Sequence, residues 1–235
     1  MQVADQVPVA NSLLAALPDK EYQLLRPRLE QVALSFGEEL YHPGEPITQV
    51  YFPSDVLVSL LVQAEGHQAL EVGLVGREGM LGTPLALGVN ASPVGTVVQV
   101  AGEALRMSAA DFHKEFQRSM PLRREVYWYI YELMIQTTQT AACNRFHLIE
   151  ARLARWLLMT RDRLRSNRFH LTQELLANML GVRRVGVTKA AGTLRQRNLI
   201  SYNRGEITIL DDDGLEAAAC QCYQIVRGMH NVARG

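Results

Sequence analysis

The chain has 235 residues, 48% hydrophobic and 20% charged, which is the composition of an ordinary folded protein and excludes disordered and fibrous classes. That length buries one or two modest cores, and no run of about 18 apolar residues is present to span a membrane. The net charge of zero hides an asymmetry: residues 1–142 sum to −7, residues 143–209 to +9 and residues 210–235 to −2.

The N-terminal stretch MQVADQVPVANSLLAALPDKEY has no basic region before its short apolar run and carries Asp5, so no secretory signal is expected. SLLAAL, closed by Pro18, reads as a short helix, and DKEYQLLRPRLEQV as another that Pro27 interrupts. From about Val32 to Ser108, β-prone runs alternate with Gly, Pro and Asp at intervals of roughly 8–12 residues, the pattern of a sandwich or barrel. Pro43-Gly44, Pro53-Ser54-Asp55 and Glu65-Gly66 supply the turns.

Ser108 is placed to cap a following helix, and Pro121 to open a longer one running to about Asn144, about 24 residues or about 36 Å. Val126, Ile130, Leu133, Thr137, Thr140 and Asn144 repeat at coiled-coil spacing, with a second stripe of Tyr127, Tyr131, Met134 and Thr138 beside it. One stripe can pack on the β-domain while the other meets an identical helix. The first, Val126, Ile130, Leu133, Thr137 and Thr140, is taken as the dimer interface. A further helix, Ile149–Leu164, turns Leu153, Trp156, Leu157 and Thr160 inward and sends Arg152, Arg155, Arg161, Arg163 and Arg165 elsewhere, and Ser166-Asn167 breaks it.

The stretch LTQELLANMLGVRRVGVTKAAGTLRQR places Ala177, Gly181 and Val187 at the four- and six-residue offsets of a helix-turn-helix. Ala177 is small where the second helix crosses, Gly181 supplies the left-handed turn, and Val187 plugs the inner face. Arg183, Arg184, Thr188 and Lys189 fall on the outer face. Leu199–Tyr202 and Glu206–Leu210 then read as strands joined by Asn203-Arg204-Gly205, a wing to which Phe169–Leu171 can add a third strand. The +9 block coincides with this motif, as expected of a nucleic-acid binder. Asp211-Asp212-Asp213-Gly214 offers caps for a closing helix, Leu215–Arg227.

The whole layout resembles the Crp/Fnr superfamily of bacterial transcription regulators. The resemblance rests on Gly76-Arg77-Glu78-Gly79-Met80-Leu81-Gly82, on LIEARLARWLL, and on LTQELLANMLGVRRVGVTKAAGTLRQRNLI. It implies an α+β chain with an N-terminal double-stranded β-helix (a β-roll of the cyclic-nucleotide-binding kind) as sensor domain over residues 1–118. A dimerisation helix over 119–145 and a winged helix-turn-helix DNA-binding domain over 146–235 follow. It makes Arg77, Glu78, Gly79, Met80, Leu81 and Gly82 the candidate effector contacts. Cyclic-AMP-responsive members hold the phosphate with an arginine shortly after a Gly-Glu pair, but no Arg or Lys lies between Arg77 and Arg106 here. Cyclic AMP is therefore not the expected effector unless Arg77 swings in, while an anion nest of backbone N–H groups over Glu78–Gly82 leaves a cyclic dinucleotide or another ligand open. Members that sense oxygen carry an N-terminal cysteine cluster, whereas no cysteine precedes Cys143. His42, His67 and His113 are scattered and read as surface or core residues, not haem ligands.

In the second helix of the motif, Arg184 can bond bidentately to guanine and Lys189 can reach guanine or phosphate, while Val185 can meet a thymine methyl. Thr172, Gln173, Arg195 and Arg204 would position the DNA backbone. Gly186 inside a helix costs about 1 kcal/mol relative to alanine, which suggests a close approach of backbone to DNA or to the first helix. The leading reading is a homodimeric, sequence-specific transcription regulator on an inverted-repeat operator, with double-stranded DNA and itself as partners and RNA polymerase as a further candidate. The alternative is a nucleotide-sensing module acting through a protein partner. No nucleophile–base pair, HExxH, Walker loop or Cys/His ligand set is visible, so no enzyme activity, metal or cofactor is expected. Cys143, Cys220 and Cys222 show no metal-like pairing beyond a CxC, and their number suits a reducing cytoplasm.

Overall fold

The computed structural model describes residues 9–63, 65 and 69–232, with side chains through Gly228. Asp5, Gly66 and His67 lie outside the described residues. The chain enters through α1 (Ser12–Ala15) and α2 (Asp19–Leu25), the second tightening to a 3-10 turn at Arg26–Arg28 around Pro27. Asn11 anchors this entry: its Oδ1 accepts from the Leu14 N–H at 3.1 Å, and its Nδ2 donates to the carbonyls of Pro53 (2.9 Å) and Gly79 (2.8 Å).

Seven strands follow: β1 (Glu30–Leu34), β2 (Glu39–Tyr41), β3 (Gln49–Pro53), β4 (Leu57–Val62), β5 (Leu70–Val75), β6 (Gly95–Val100) and β7 (Gly102–Ser108). They form two antiparallel sheets, ordered β1-β7-β3 and β2-β6-β4-β5, which share one apolar core. This is the β-roll that the resemblance implies, built from the run of short strands that the sequence pattern predicts. The period-2 geometry of a strand lets β4 serve two cores. Val58 and Leu60 point into the roll, while Leu57, with Leu74 of β5, joins a second core built by the C-terminal elements.

Helix α3 (Ala109–Arg118) starts at Ser108, whose Oγ accepts from the Asp111 N–H at 3.0 Å as expected of a cap. Helix α4 (Met120–Phe146) runs 27 residues and is capped by Ser119. Its stripes are placed opposite to the expectation. Val126 is completely buried in the roll's core, Ile130 and Leu133 pack against that core, and Thr137 faces Gly73 of β5. Thr140 is buried and accepts from the guanidinium of Arg155 at 3.2 Å. The roll and α5 thus take up much of this stripe, leaving Ile130, Leu133 and Thr137 half-buried. The stripe left to solvent is Tyr127, Tyr131, Met134 and Thr138, with Trp128 beside it.

Beyond a two-residue bend come α5 (Ile149–Leu164), β8 (Arg168–His170), α6 (Gln173–Leu180), α7 (Arg184–Gln196), β9 (Ile200–Asn203) and β10 (Glu206–Ile209). The expected single closing helix is two, α8 (Asp212–Ala218) and α9 (Cys222–Val232), with Asp211 capping the first. The arginines of α5 are also not where a charge count would put them. Arg152, Arg155 and Arg163 are buried, and Arg161 is held by Asp162 and Asp212. Among the described residues, no helix is long and apolar enough to cross a membrane.

Candidate nucleic-acid interface

Thr172 caps α6 by accepting from the Leu175 N–H at 3.1 Å, and the helix ends at Gly181, whose φ of 60° is the left-handed conformation that the turn requires. The turn also lies close to the roll, where a Cβ on Gly181 would come within 2.5 Å of Leu70 Cδ1. Helix α7 buries Val187, Ala190, Ala191 and Leu194 against α5 and α6. The periodicity of about 3.6 residues then leaves Arg183, Arg184, Val185, Thr188 and Lys189 exposed, Val185 to 65%. Gln173 and Thr188 meet across the two helices, the threonine hydroxyl donating to Gln173 Oε1 at 2.8 Å.

The wing is β9 and β10 joined by Arg204-Gly205, both at positive φ (49° and 86°), the signature of a two-residue type I′ hairpin. β8 adds the third strand through pairs such as Phe169 with Ile207. The Tyr202 hydroxyl donates to the Leu171 carbonyl at 2.9 Å, tying the wing to the start of α6. Thr172, Gln173, Arg184, Thr188, Arg195 and Arg204 thereby line one cleft of about 390 Å³ between α6, α7 and the wing. Arg183, Val185 and Lys189 flank it on α7. Arg195 and Arg204 make no ion pair among the described residues, whereas Arg168 is paired with Glu206 and Arg197 with Glu150.

The candidate effector stretch has a different environment. Arg77 donates to the Ala10 carbonyl at 2.7 Å, away from the roll's interior. Glu78 pairs with Arg163 of α5 at 2.8 Å, both side chains nearly buried. Gly79 lies beneath the Tyr129 ring, where any Cβ would overlap the ring atoms. Met80 and Leu81 are core residues, and Gly82 turns the chain at φ 96° beside Tyr41 and Val50. The N–H of Gly79 bonds to the Gly76 carbonyl and that of Leu81 to Tyr51, so these amides are not free to cradle an anion. The stretch also joins the roll to α4 and α5, through Gly79 beneath Tyr129 and Glu78 on Arg163.

Residues 151–218 match the Crp-like helix-turn-helix domain family. Similar solved structures include FixK2 from Bradyrhizobium japonicum, with TM-score 0.69 and 12% identity over 82% of this chain and 98% of that one. A transcriptional regulator of the CRP family from Thermus thermophilus gives TM-score 0.67 at 19% identity, covering 80% and 96%. The c-di-GMP-responsive global regulator CLP of Xanthomonas campestris gives 0.66 at 15%, covering 82% and 99%. Residues 151–218 thus belong to the Crp-like helix-turn-helix domain family, and the chain shares the fold of these regulator structures. None of the curated proteins matches its sequence. At these identities the solved structures carry the fold, and the matched domain carries the DNA-binding motif. The cleft between α6, α7 and the wing lies within the matched domain.

Proposed function

We propose that this regulator binds double-stranded DNA through α7 and the wing, as a homodimer on an inverted repeat with half-sites about one helical turn apart. The observation that carries the reading is the single exposed surface made by Arg183, Arg184, Val185, Thr188 and Lys189 together with Arg195 and Arg204. Arg184 reads guanine, Val185 meets a thymine methyl, and Lys189 reaches guanine or phosphate, while Thr172, Gln173, Arg195 and Arg204 hold the backbone. The dimer contact is the open stripe of α4, Tyr127, Tyr131, Met134 and Thr138, an aromatic-rich surface of the kind enriched at subunit contacts.

In this reading, residues 1–118 are the sensing roll, 119–145 the dimerisation helix and 146–235 the DNA-binding domain, and the protein works in the cytoplasm without catalysis. Cyclic AMP is not its effector, because Arg77 is turned to Ala10 and no other cation is available between it and Arg106. The test is operator selection from random duplexes with the full-length protein, followed by affinity for the selected site and for a scrambled one. A selected inverted repeat bound at least about 10³-fold tighter than scrambled DNA is expected. Equal affinity for both would overturn the reading.

A further inference from the structure

Three cysteines and a histidine that lie far apart in sequence meet at the bend between α4 and α5. Cys143 is in the last turn of α4 and His147 is its C-cap, four residues on and so on the same face. Cys220 sits in the break between α8 and α9, and Cys222 opens α9. Their three Sγ atoms and one ring nitrogen all lie within 4.8 Å of one another. Cys143 Sγ is 3.4 Å from Cys220 Sγ, and Cys222 Sγ is 3.5 Å from His147 Nδ1. A tetrahedral zinc site with Zn–S of about 2.3 Å and Zn–N of about 2.0–2.1 Å has ligand–ligand edges of about 3.5–3.8 Å. The four atoms thus need only small rotations to close around one ion.

We propose that Cys143, His147, Cys220 and Cys222 bind one zinc-type divalent cation that clamps the end of α4 to α9. The thiolates are buried and the imidazole is exposed, as in a closed site with one edge near water. A second observation supports it independently of spacing. Arg152 and Arg155 are buried beside this cluster; their Nη atoms donate to Asn144, the Leu180 carbonyl and Thr140, but neither forms an ion pair with a carboxylate among the described residues, and the Nε of each lacks an acceptor. An unpaired buried guanidinium is costly. Three thiolates around a divalent ion carry a net charge of −1, a counter-charge for Arg152, on which no carboxylate acts, and a nearer one for Arg155, whose charge otherwise acts on Glu71. Softness of the donor set selects a zinc-type ion over magnesium or calcium. An ion here would fix the angle at which the winged helix leaves α4, because α4 packs on α9 and α9 on α5.

The test uses the untagged full-length protein, purified with reductant, stripped with a chelator and titrated with zinc alone, then with cobalt. One equivalent of zinc per chain is expected, with the visible ligand-field bands of a tetrahedral thiolate site when cobalt replaces it. Cys143→Ser and Cys222→Ser should lose stoichiometric binding. His147→Ala, at the exposed position, should keep the fold by circular dichroism while shifting the cobalt spectrum. No zinc uptake by the stripped wild type would overturn the proposal, as would unchanged uptake in a variant lacking all three cysteines. A Cys143–Cys220 disulfide in the reductant-purified protein would overturn it too. None of these readouts involves DNA, so failure here leaves the DNA-binding reading standing.

Discussion

The indole N–H of Trp156 donates to Oε1 of Glu71 at 2.7 Å, a bond from the middle of α5 to strand β5 of the roll. The Ser59 hydroxyl donates to the other carboxyl oxygen. Burial pushes the Glu71 carboxyl up to about 7, although both donors and the charges of Arg155 and Arg163 pull it down. In unfolded chain the group titrates near 4.5. Between those values the folded chain holds a proton on Glu71 that the unfolded chain has released, so the contribution of Glu71 to stability is greatest below about 4.5, falls as pH rises to about 7, and is level above. The fall is on the order of 3 kcal/mol. Urea denaturation at several pH values should show this slope in the wild type and lose it in Glu71→Gln. A slope that survives the substitution would exclude Glu71 as its source.

Glu78 and Arg163 form the second tie between roll and α5, and they are nearly buried, so removing one partner strands the other's charge. Glu78→Ala alone should cost about 3–5 kcal/mol. Pairing it with Arg163→Met should recover a large part of that loss. A double-mutant cycle by denaturant melts measures it, and simple additivity would mean that the ion pair contributes nothing specific.

Two glycines give opposite expectations. A methyl at Gly79 collides with the Tyr129 ring, which the buried face of α4 holds in place, so Gly79→Ala should be severely destabilising. At Gly186 the nearest atom is Ile149 Cδ1, at 2.8 Å, the far end of a flexible side chain at the start of α5. That atom can move aside, and alanine gains up to about 1 kcal/mol of helix propensity. Gly186→Ala should therefore melt within a few degrees of the wild type. A large drop would place a constraint at α7 beyond Ile149.

On DNA, Arg184→Ala should lose about 1–3 kcal/mol on the selected operator and relax preference at one base pair. Arg204→Ala, at the wing tip, should weaken selected and scrambled duplexes alike and lower the salt slope by about one. Anisotropy at two or three salt concentrations separates the two. Equal losses on both duplexes for Arg184→Ala would remove it from base readout.

How much of this was legible in the sequence depends on how local the signal was. The helix-turn-helix, its Gly181 turn and α5 from Ile149 to Leu164 are set by spacings within one element or between neighbours and appear as expected, as does the wing except that Asn203 joins its strand and leaves a two-residue turn, Arg204-Gly205. The stripes of α4 were visible, but both are apolar, and which one the roll covers depends on strands more than fifty residues away. The arginines of α5 added to the positive block, yet Arg152, Arg155 and Arg163 are internal, a fact that charge counting cannot register. The cysteine cluster was missed because 77 positions separate Cys143 from Cys220. The clue that was available is the CxC beside a Cys–His pair at helical spacing.

The reversal of the α4 stripes makes the dimer testable in a way that separates packing from association. Tyr131 and Met134 are 44% and 56% exposed, so a charge at either has no core to disrupt. Met134→Glu and Tyr131→Glu should leave the melting of the monomer fold nearly intact while shifting the protein from dimer to monomer in sedimentation. Val126→Ala should do the reverse: as a buried methyl loss in the roll's core it should cost about 2 kcal/mol without changing the oligomeric state. If Val126→Ala dissociated the dimer and Met134→Glu did not, the partner would lie on the face that packs on the chain's own roll. Because two wings reading an inverted repeat must be held at fixed spacing, Met134→Glu should also reduce affinity for the full operator far more than for an isolated half-site.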